Sequence, residues 1–182
     1  SALKRPKSFA KIILLDPVIF TPRKIFLWKI AKFLGVRESF LPLARAARLR
    51  KDSFVSFEEA FFLYRKKNIF SLLSDDNLKI VLRGLLVKKG GRYILVYPKE
   101  WEYTVYMSSL FDDSFIWKNL ENLAVPTQIL RAERSDAFLS EAAKLCCQLS
   151  LQIKIYEFKH LSHLFPFEEP KLLAEKIIES LI

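Results

Sequence analysis

The chain has 182 residues, of which 51% are hydrophobic, with 16 Phe, only 4 Gly and a formal net charge of +10. That length supports one domain with a real core, or a core fragment plus a lid, and the apolar content excludes a disordered chain. The positive charge brings anionic partners into consideration, although Lys and Arg are scattered along the sequence. Four consecutive apolar residues, Ile12 to Leu15, stopped by Asp16-Pro17, predict a fully buried strand ending at a loop. From 21 to 122 the pattern turns helical, without strand-helix alternation. Pro22 opens a helix in which Ile25, Trp28, Ile30 or Ala31, and Phe33 or Leu34 recur at helical spacing until Gly35. A second helical segment covers 39–50, Ser56 with Glu59 forms a capping-box signal for a third through 67, and Asp75 caps a fourth over 76–85. Gly90-Gly91 marks a hairpin between 87 and 94, because glycine tolerates the positive φ of tight turns. Pro98 opens a helix reaching 111, and 115–123 forms one more. Thr127 to Arg131 is a short strand-like apolar run that stops at Glu133, Arg134, Ser135 and Asp136. A helix over 137–149 follows. A second strand over 151–158 then alternates Ile153, Ile155 and Phe158 with Lys154 and Glu157, and His163 lies on the loop beyond it.

Asp136 and His163 therefore both sit on loops leaving strands. In an open parallel sheet such loops line the crevice at the strand carboxyl ends, so an acid and a histidine there can converge as half of a catalytic triad. Asp136 is equally suited to cap the helix over 137–149, and the two roles are compatible. Asp16 is the runner-up acid, since it too leaves a strand, and Glu133 is third. His160 is less well placed than His163, whose alternative is an ordinary surface or core histidine. With two histidines, adjacent cysteines and no carboxylate cluster at ligand spacing, neither a metal site nor a cofactor is expected. Cys146 and Cys147 argue against a loop-closing disulfide, fit a reducing, cytoplasmic compartment, and read as small buried apolar residues on their helix. No signal peptide is evident, and the apolar stretch 11–20 is broken by Asp16 and Pro17 and too short to span a bilayer. Arg45, Arg48, Arg50, Lys51, Arg65, Lys66 and Lys67 read as a solvated helical surface, and nothing matches a nucleic-acid recognition module. An anionic membrane surface or an acidic substrate is the intermediate reading, with loss of association in salt as its signature.

These motifs together resemble the second half of an α/β-hydrolase. Pro126-Thr127 with Arg131 to Asp136 resembles the strand and loop that deliver the triad acid, with Ala132 where a glycine is usual, and Ser162-His163 with Glu168 and Pro170 resembles the histidine loop. The order in that superfamily is nucleophile, acid, histidine. Ile12 to Pro17 resembles the strand after the nucleophile helix, and Ser1 to Lys4 the tail of that helix. Ser53 to Ala60, Arg83-Gly84-Leu85, Gly90-Gly91 and Tyr97 to Glu102 resemble the cap of one esterase-like subgroup. The resemblance implies an α/β fold with a core over 1–21 and 123–182, about three strands with flanking helices, and a mostly helical cap containing a hairpin over 22–122. It implies that His163 acts as general base and then general acid, with Asp136 holding its tautomer.

The Gly-x-Ser-x-Gly nucleophile elbow does not occur in these 182 residues, so the nucleophile is expected to precede residue 1. The implied function is serine-type hydrolysis of an ester or related acyl bond of a hydrophobic substrate, because apolar lid residues would line its acyl or alcohol pocket. The alternatives are a carboxylate-nucleophile relative, such as an epoxide hydrolase or dehalogenase, and a non-catalytic hydrolase-like binding module. Three strands and a lid would leave an unpaired edge and an apolar sheet face, so a companion polypeptide carrying the first half of the fold is expected.

Overall fold

A computed structural model describes residues 1–36, 41–108 and 114–181. In chain order its elements are β1 (Ile12–Leu15), α1 (Pro22–Phe33), α2 (Pro42–Arg48), β2 (Ser53–Phe54), α3 (Phe57–Arg65), α4 (Asp75–Leu85), β3 (Leu86–Lys89), β4 (Arg92–Leu95) and α5 (Lys99–Met107). These are followed by α6 (Ser114–Asn119), β5 (Thr127–Ala132), α7 (Ser140–Leu149), β6 (Ile153–Phe158), α8 (Phe165–Glu168) and α9 (Pro170–Leu181). Two compact units result, one of Ser1–Phe26 with Phe111–Ile182, the other of Leu27–Leu110.

In the first unit β1, β5 and β6 form a parallel sheet in the order β1-β5-β6. Successive residues of the central strand β5 point to opposite faces, and both faces are covered. Ile129 packs with Phe138, Ala142, Ala143 and Cys146 on one side, while Leu130 and Ala132 pack with Phe158, Phe165 and Leu173 on the other. This explains why Ile129 and Leu130, adjacent in sequence and on opposite faces, are both apolar. Full burial of a side chain such as Phe138 or Phe165 stabilises the unit by roughly 1.5–3 kcal/mol each. Only the first cysteine is part of this core: Cys146 is buried, which with its neighbour's charge pushes its thiol up to about 12, whereas Cys147 is exposed.

Helix α7 starts at Ser140, three residues later than the expected helix over 137–149. The reason is local competition for backbone groups. The Ser135 hydroxyl accepts the N–H groups of Ala137 and Phe138 at 3.1 and 2.9 Å, and the Phe138 carbonyl accepts Arg131 Nε at 2.8 Å. Residues 137–139 are therefore committed to a turn beneath the loop, and Asp136 does not cap the helix.

In the second unit the forward half of the capping-box signal is realised, Ser56 Oγ accepting the Glu59 N–H at 3.1 Å, while the Glu59 carboxylate reaches one residue past the cap to accept the Val55 N–H at 2.6 Å. Helix α4 is capped by Ser74, not by Asp75, through Ser74 Oγ and the Asn77 N–H at 3.2 Å. Asp75 and Asp76 instead occupy the first turn, where carboxylates complement the helix dipole. Gly90 and Gly91 both adopt positive φ, 57° and 75°, and join β3 to β4. The short strand β2, unforeseen as a strand, pairs antiparallel with β4 and gives the order β2-β4-β3. Residues 39 and 40 of the second expected helix, and 109–111 of the helix opened by Pro98, lie outside the described residues. Helix α1 ends as its sequence indicates. Gly35 takes φ 72°, Val36 N–H bonds the Ala31 carbonyl at 3.0 Å and Gly35 N–H that of Lys32 at 3.3 Å, a Schellman closure.

Candidate active site

The parallel sheet sends three loops out of its carboxyl edge, and the candidate residues are found on all of them. Asp16 directly follows β1, extends its ladder through its N–H to the Leu130 carbonyl at 2.8 Å, and then turns sharply with φ 41°. A left-handed conformation in a residue other than glycine costs on the order of 1–3 kcal/mol and is tolerated best by Asp and Asn. Its result is to direct the carboxylate back across the end of β5. Oδ1 accepts the Ala132 N–H at 3.1 Å, and Oδ2 accepts the Ser135 hydroxyl at 2.5 Å. The side chain is 1% exposed.

His163 completes this arrangement. Its Nδ1 lies 2.6 Å from Asp16 Oδ2, and the carboxylate acceptor assigns the proton to Nδ1, turning Nε2 away from the acid with its lone pair available. The hydrogen bond that Nδ1–H donates to Asp16 holds the imidazole pKa above its ordinary value; burial works against that shift, and the charges of Asp16 and then Asp136 add to it. The histidine loop is fixed by a second carboxylate. Buried Glu168 accepts both the N–H of Ser162, at 2.9 Å, and its hydroxyl, so the residue before His163 is tied to α8.

Asp136, the acid expected opposite His163, is not its hydrogen-bond partner. It is exposed and acts on the ring through its charge alone. The acid that meets the histidine is Asp16, and the reason is distance from the strand: Asp16 is the first residue beyond β1, while Asp136 lies beyond a turn that Ser135 folds back under the sheet edge. Glu133 and His160 are brought together elsewhere. The Glu133 carboxylate accepts the His160 N–H at 2.7 Å, which holds its carboxyl below the usual range, and so clips the end of β5 to the end of β6. Arg131 reinforces the same clip by pairing with Glu157 across the two strands. The residue that sequence reading missed is Ser135, which donates to Asp16 while accepting two backbone N–H groups. Its position within the polar cluster after β5 was visible, but its partner lies 119 residues away.

Chemically, a buried carboxylate with three donors, holding a histidine by Nδ1, is an arrangement that can take a proton at Nε2 and stabilise the resulting imidazolium. Among the described residues no group of three or more His, Cys, Asp or Glu side chains is placed to hold a metal ion.

No protein-family profile matches the sequence, and neither does any curated protein. Solved structures do match. The peroxisomal α/β-hydrolase Lpx1 from Saccharomyces cerevisiae is similar over 99% of this chain and 47% of its own, with a TM-score of 0.74 at 18% identity. The Mycobacterium tuberculosis esterase Rv0045c is similar over 99% and 57%, with a TM-score of 0.66 at 15% identity. The thioesterase domain from the curacin biosynthetic pathway is similar over 97% and 60%, with a TM-score of 0.68 at 16% identity. The chain thus has an α/β-hydrolase-like fold, and it spans less than two thirds of the length of each of these structures.

Proposed function

We propose that Asp16 and His163 are the acid and base of a hydrolytic triad that cleaves an ester or related acyl bond, with the nucleophile contributed by a segment outside these 182 residues. The observation that carries this reading is the 2.6 Å contact between His163 Nδ1 and a fully desolvated Asp16 at the carboxyl edge of a parallel sheet. In the first step Nε2 of neutral His163 takes the proton of a serine hydroxyl as its oxygen bonds to the acyl carbon. The imidazolium then gives that proton to the departing alkoxide or amine. In the second step Nε2 takes a proton from water as the water oxygen attacks the acyl-enzyme, and returns it to the serine. Asp16 accepts the Nδ1–H bond throughout and stabilises the imidazolium through it.

Two observations support an external nucleophile. The sequence contains no Gly-x-Ser-x-Gly elbow, and among the described residues β1 pairs only with β5, on one side, which leaves its other edge to receive a further parallel strand. We assign the substrate a hydrophobic acyl or alcohol part on the apolar and aromatic composition of the chain, 51% hydrophobic with 16 Phe.

The test is intact mass spectrometry of the complete protein after treatment with a fluorophosphonate, which marks activated serines. An adduct that disappears in His163→Ala and forms far more slowly in Asp16→Asn supports the proposal. Hydrolysis without an adduct would replace serine by a carboxylate nucleophile, and the absence of both adduct and hydrolysis would leave a binding module.

A further inference from the structure

Helix α1 carries apolar side chains on two opposite faces. Ile25, Trp28 and Ala31, at 3%, 3% and 4% exposure, form its buried face. Phe26, Leu27, Ile30, Phe33 and Leu34 fall within about 120° of arc on the other side. They are 63%, 41%, 41%, 90% and 63% exposed. Single exposed apolar residues are ordinary, whereas five on one helix face mark an interaction surface. Every charged residue of Pro22–Phe33 is a cation, namely Arg23, Lys24, Lys29 and Lys32. The Schellman closure at Gly35 fixes the end of the helix, so Phe33 and Leu34 are presented by a defined turn.

We propose that this face of α1 docks on an anionic lipid bilayer. Phe26, Ile30 and Phe33 enter the boundary between headgroups and acyl chains, and the basic side chains extend along the helix to the phosphates. Charge selects this occupant. A second copy of the same helix would set cations against cations, while an anionic bilayer offers opposite charge to Arg23 within the apolar arc and to Lys24 beside it, on a chain whose net charge is +10. The contact is interfacial, since no helix among the described residues is long and apolar enough to cross a membrane. It is independent of which bond the protein cleaves, so the lipid reading and the hydrolase reading fail separately.

The experiment is co-sedimentation of the complete protein with phosphatidylcholine vesicles and with mixed phosphatidylcholine and phosphatidylglycerol vesicles, each at low and high salt. Binding to the mixed vesicles only, weakened by salt, is expected. Phe33→Asp should weaken it roughly tenfold or more, from the loss of one inserted aromatic side chain. The double variant R23Q/K24Q should weaken it roughly 30-fold, at the energy typical of two basic residues near an anionic surface. Both variants should keep the wild-type thermal midpoint, because the replaced side chains are exposed. Equal binding to neutral vesicles, or binding unchanged in both variants, would overturn the proposal. So would a lowered midpoint in Phe33→Asp, which would show the face covered within the polypeptide, or a dimer that this variant dissociates, which would make a second copy the occupant.

Discussion

The loops leaving β1 and β5 both present an aspartate near one histidine, yet they differ in what surrounds it. Asp16 is desolvated, left-handed at the backbone, and engaged with Ala132, Ser135 and His163. Asp136 is exposed and reaches the ring only as a charge. A buried carboxylate must have its lone pairs filled by donors, and that requirement is what fixes the histidine in one tautomer and one orientation. An exposed carboxylate is satisfied by water and imposes no geometry. Desolvation, more than proximity, is thus what ties a carboxylate to one orientation of the imidazole.

The largest expected effect is therefore at Asp16. Asp16→Asn should lower kcat by about 10⁴-fold, the magnitude typical when the tautomer-setting carboxylate of a triad is lost. Asp16→Ala should in addition destabilise the fold by about 1–3 kcal/mol, because it leaves the buried Ala132 N–H and Ser135 hydroxyl without their acceptor. Chemical denaturation and steady-state kinetics on the complete protein measure the two. If Asp136→Asn produced the kinetic loss and Asp16→Asn did not, the contrast drawn here would be reversed.

Next in size is Ser135. Replacing it with Ala removes a donor from Asp16 and an acceptor from the N–H groups of Ala137 and Phe138. The buried Phe138 N–H makes the loss cost about 1–3 kcal/mol of stability. Thr, which restores the hydroxyl, should recover most of it; failure of that rescue would mean that Ser135 contributes by size and not by hydrogen bonding.

How much of this was legible depends on how local each determinant is. The helices and the hairpin of the second unit were readable because their signals lie within a few residues: Ser56 with Glu59 and Gly35 after Phe33 for helices, Gly90 with Gly91 for the hairpin. The strand ends were readable for the same reason, since Asp16-Pro17 cuts off Ile12 to Leu15. The choice between acids was not. It turns on the contact of Asp16 with His163, 147 residues away, and on that with Ala132, 116 residues away, both set by the pairing of β1 with β5. A local signal existed nonetheless. An acid placed immediately after a fully apolar strand is held at the sheet edge, whereas Asp136 lies four residues past β5, beyond Ser135 and its turn. Strand β2 escaped notice because two residues carry no periodicity, and only the β4 edge makes Ser53-Phe54 a strand.

The pH dependence comes third. His163 has its pKa raised above 6.5 in the folded state, chiefly by its hydrogen bond to Asp16. The proposed catalysis requires the neutral ring, so the acidic limb of kcat/KM should lie above 6.5, and Asp16→Asn should move it downward. The stability contribution has the opposite direction. Because the folded state holds the proton more tightly than the unfolded chain, the pair stabilises fully below the unfolded value and loses that contribution as pH rises through the folded value. Thermal midpoints measured from roughly pH 6 to 9 should show the wild type losing its advantage over His163→Gln across that window.

The smallest effect belongs to Asp136. Its charge is the last of the influences that raise the His163 pKa, and it acts through solvent. Asp136→Asn should therefore shift the acidic limb of kcat/KM downward by less than Asp16→Asn does, and leave the plateau within about twofold, as for other surface substitutions. Ionic strength separates the two mechanisms. Charges that interact through water are screened over a Debye length of about 8 Å at physiological salt and about 3 Å near 1 M, so the Asp136→Asn shift should vanish in high salt. The Asp16→Asn loss should persist there, because salt does not restore a buried hydrogen bond. A salt-insensitive Asp136 effect would mean that this side chain contacts the imidazole directly during turnover, and the loop after β5 would then share the orienting role.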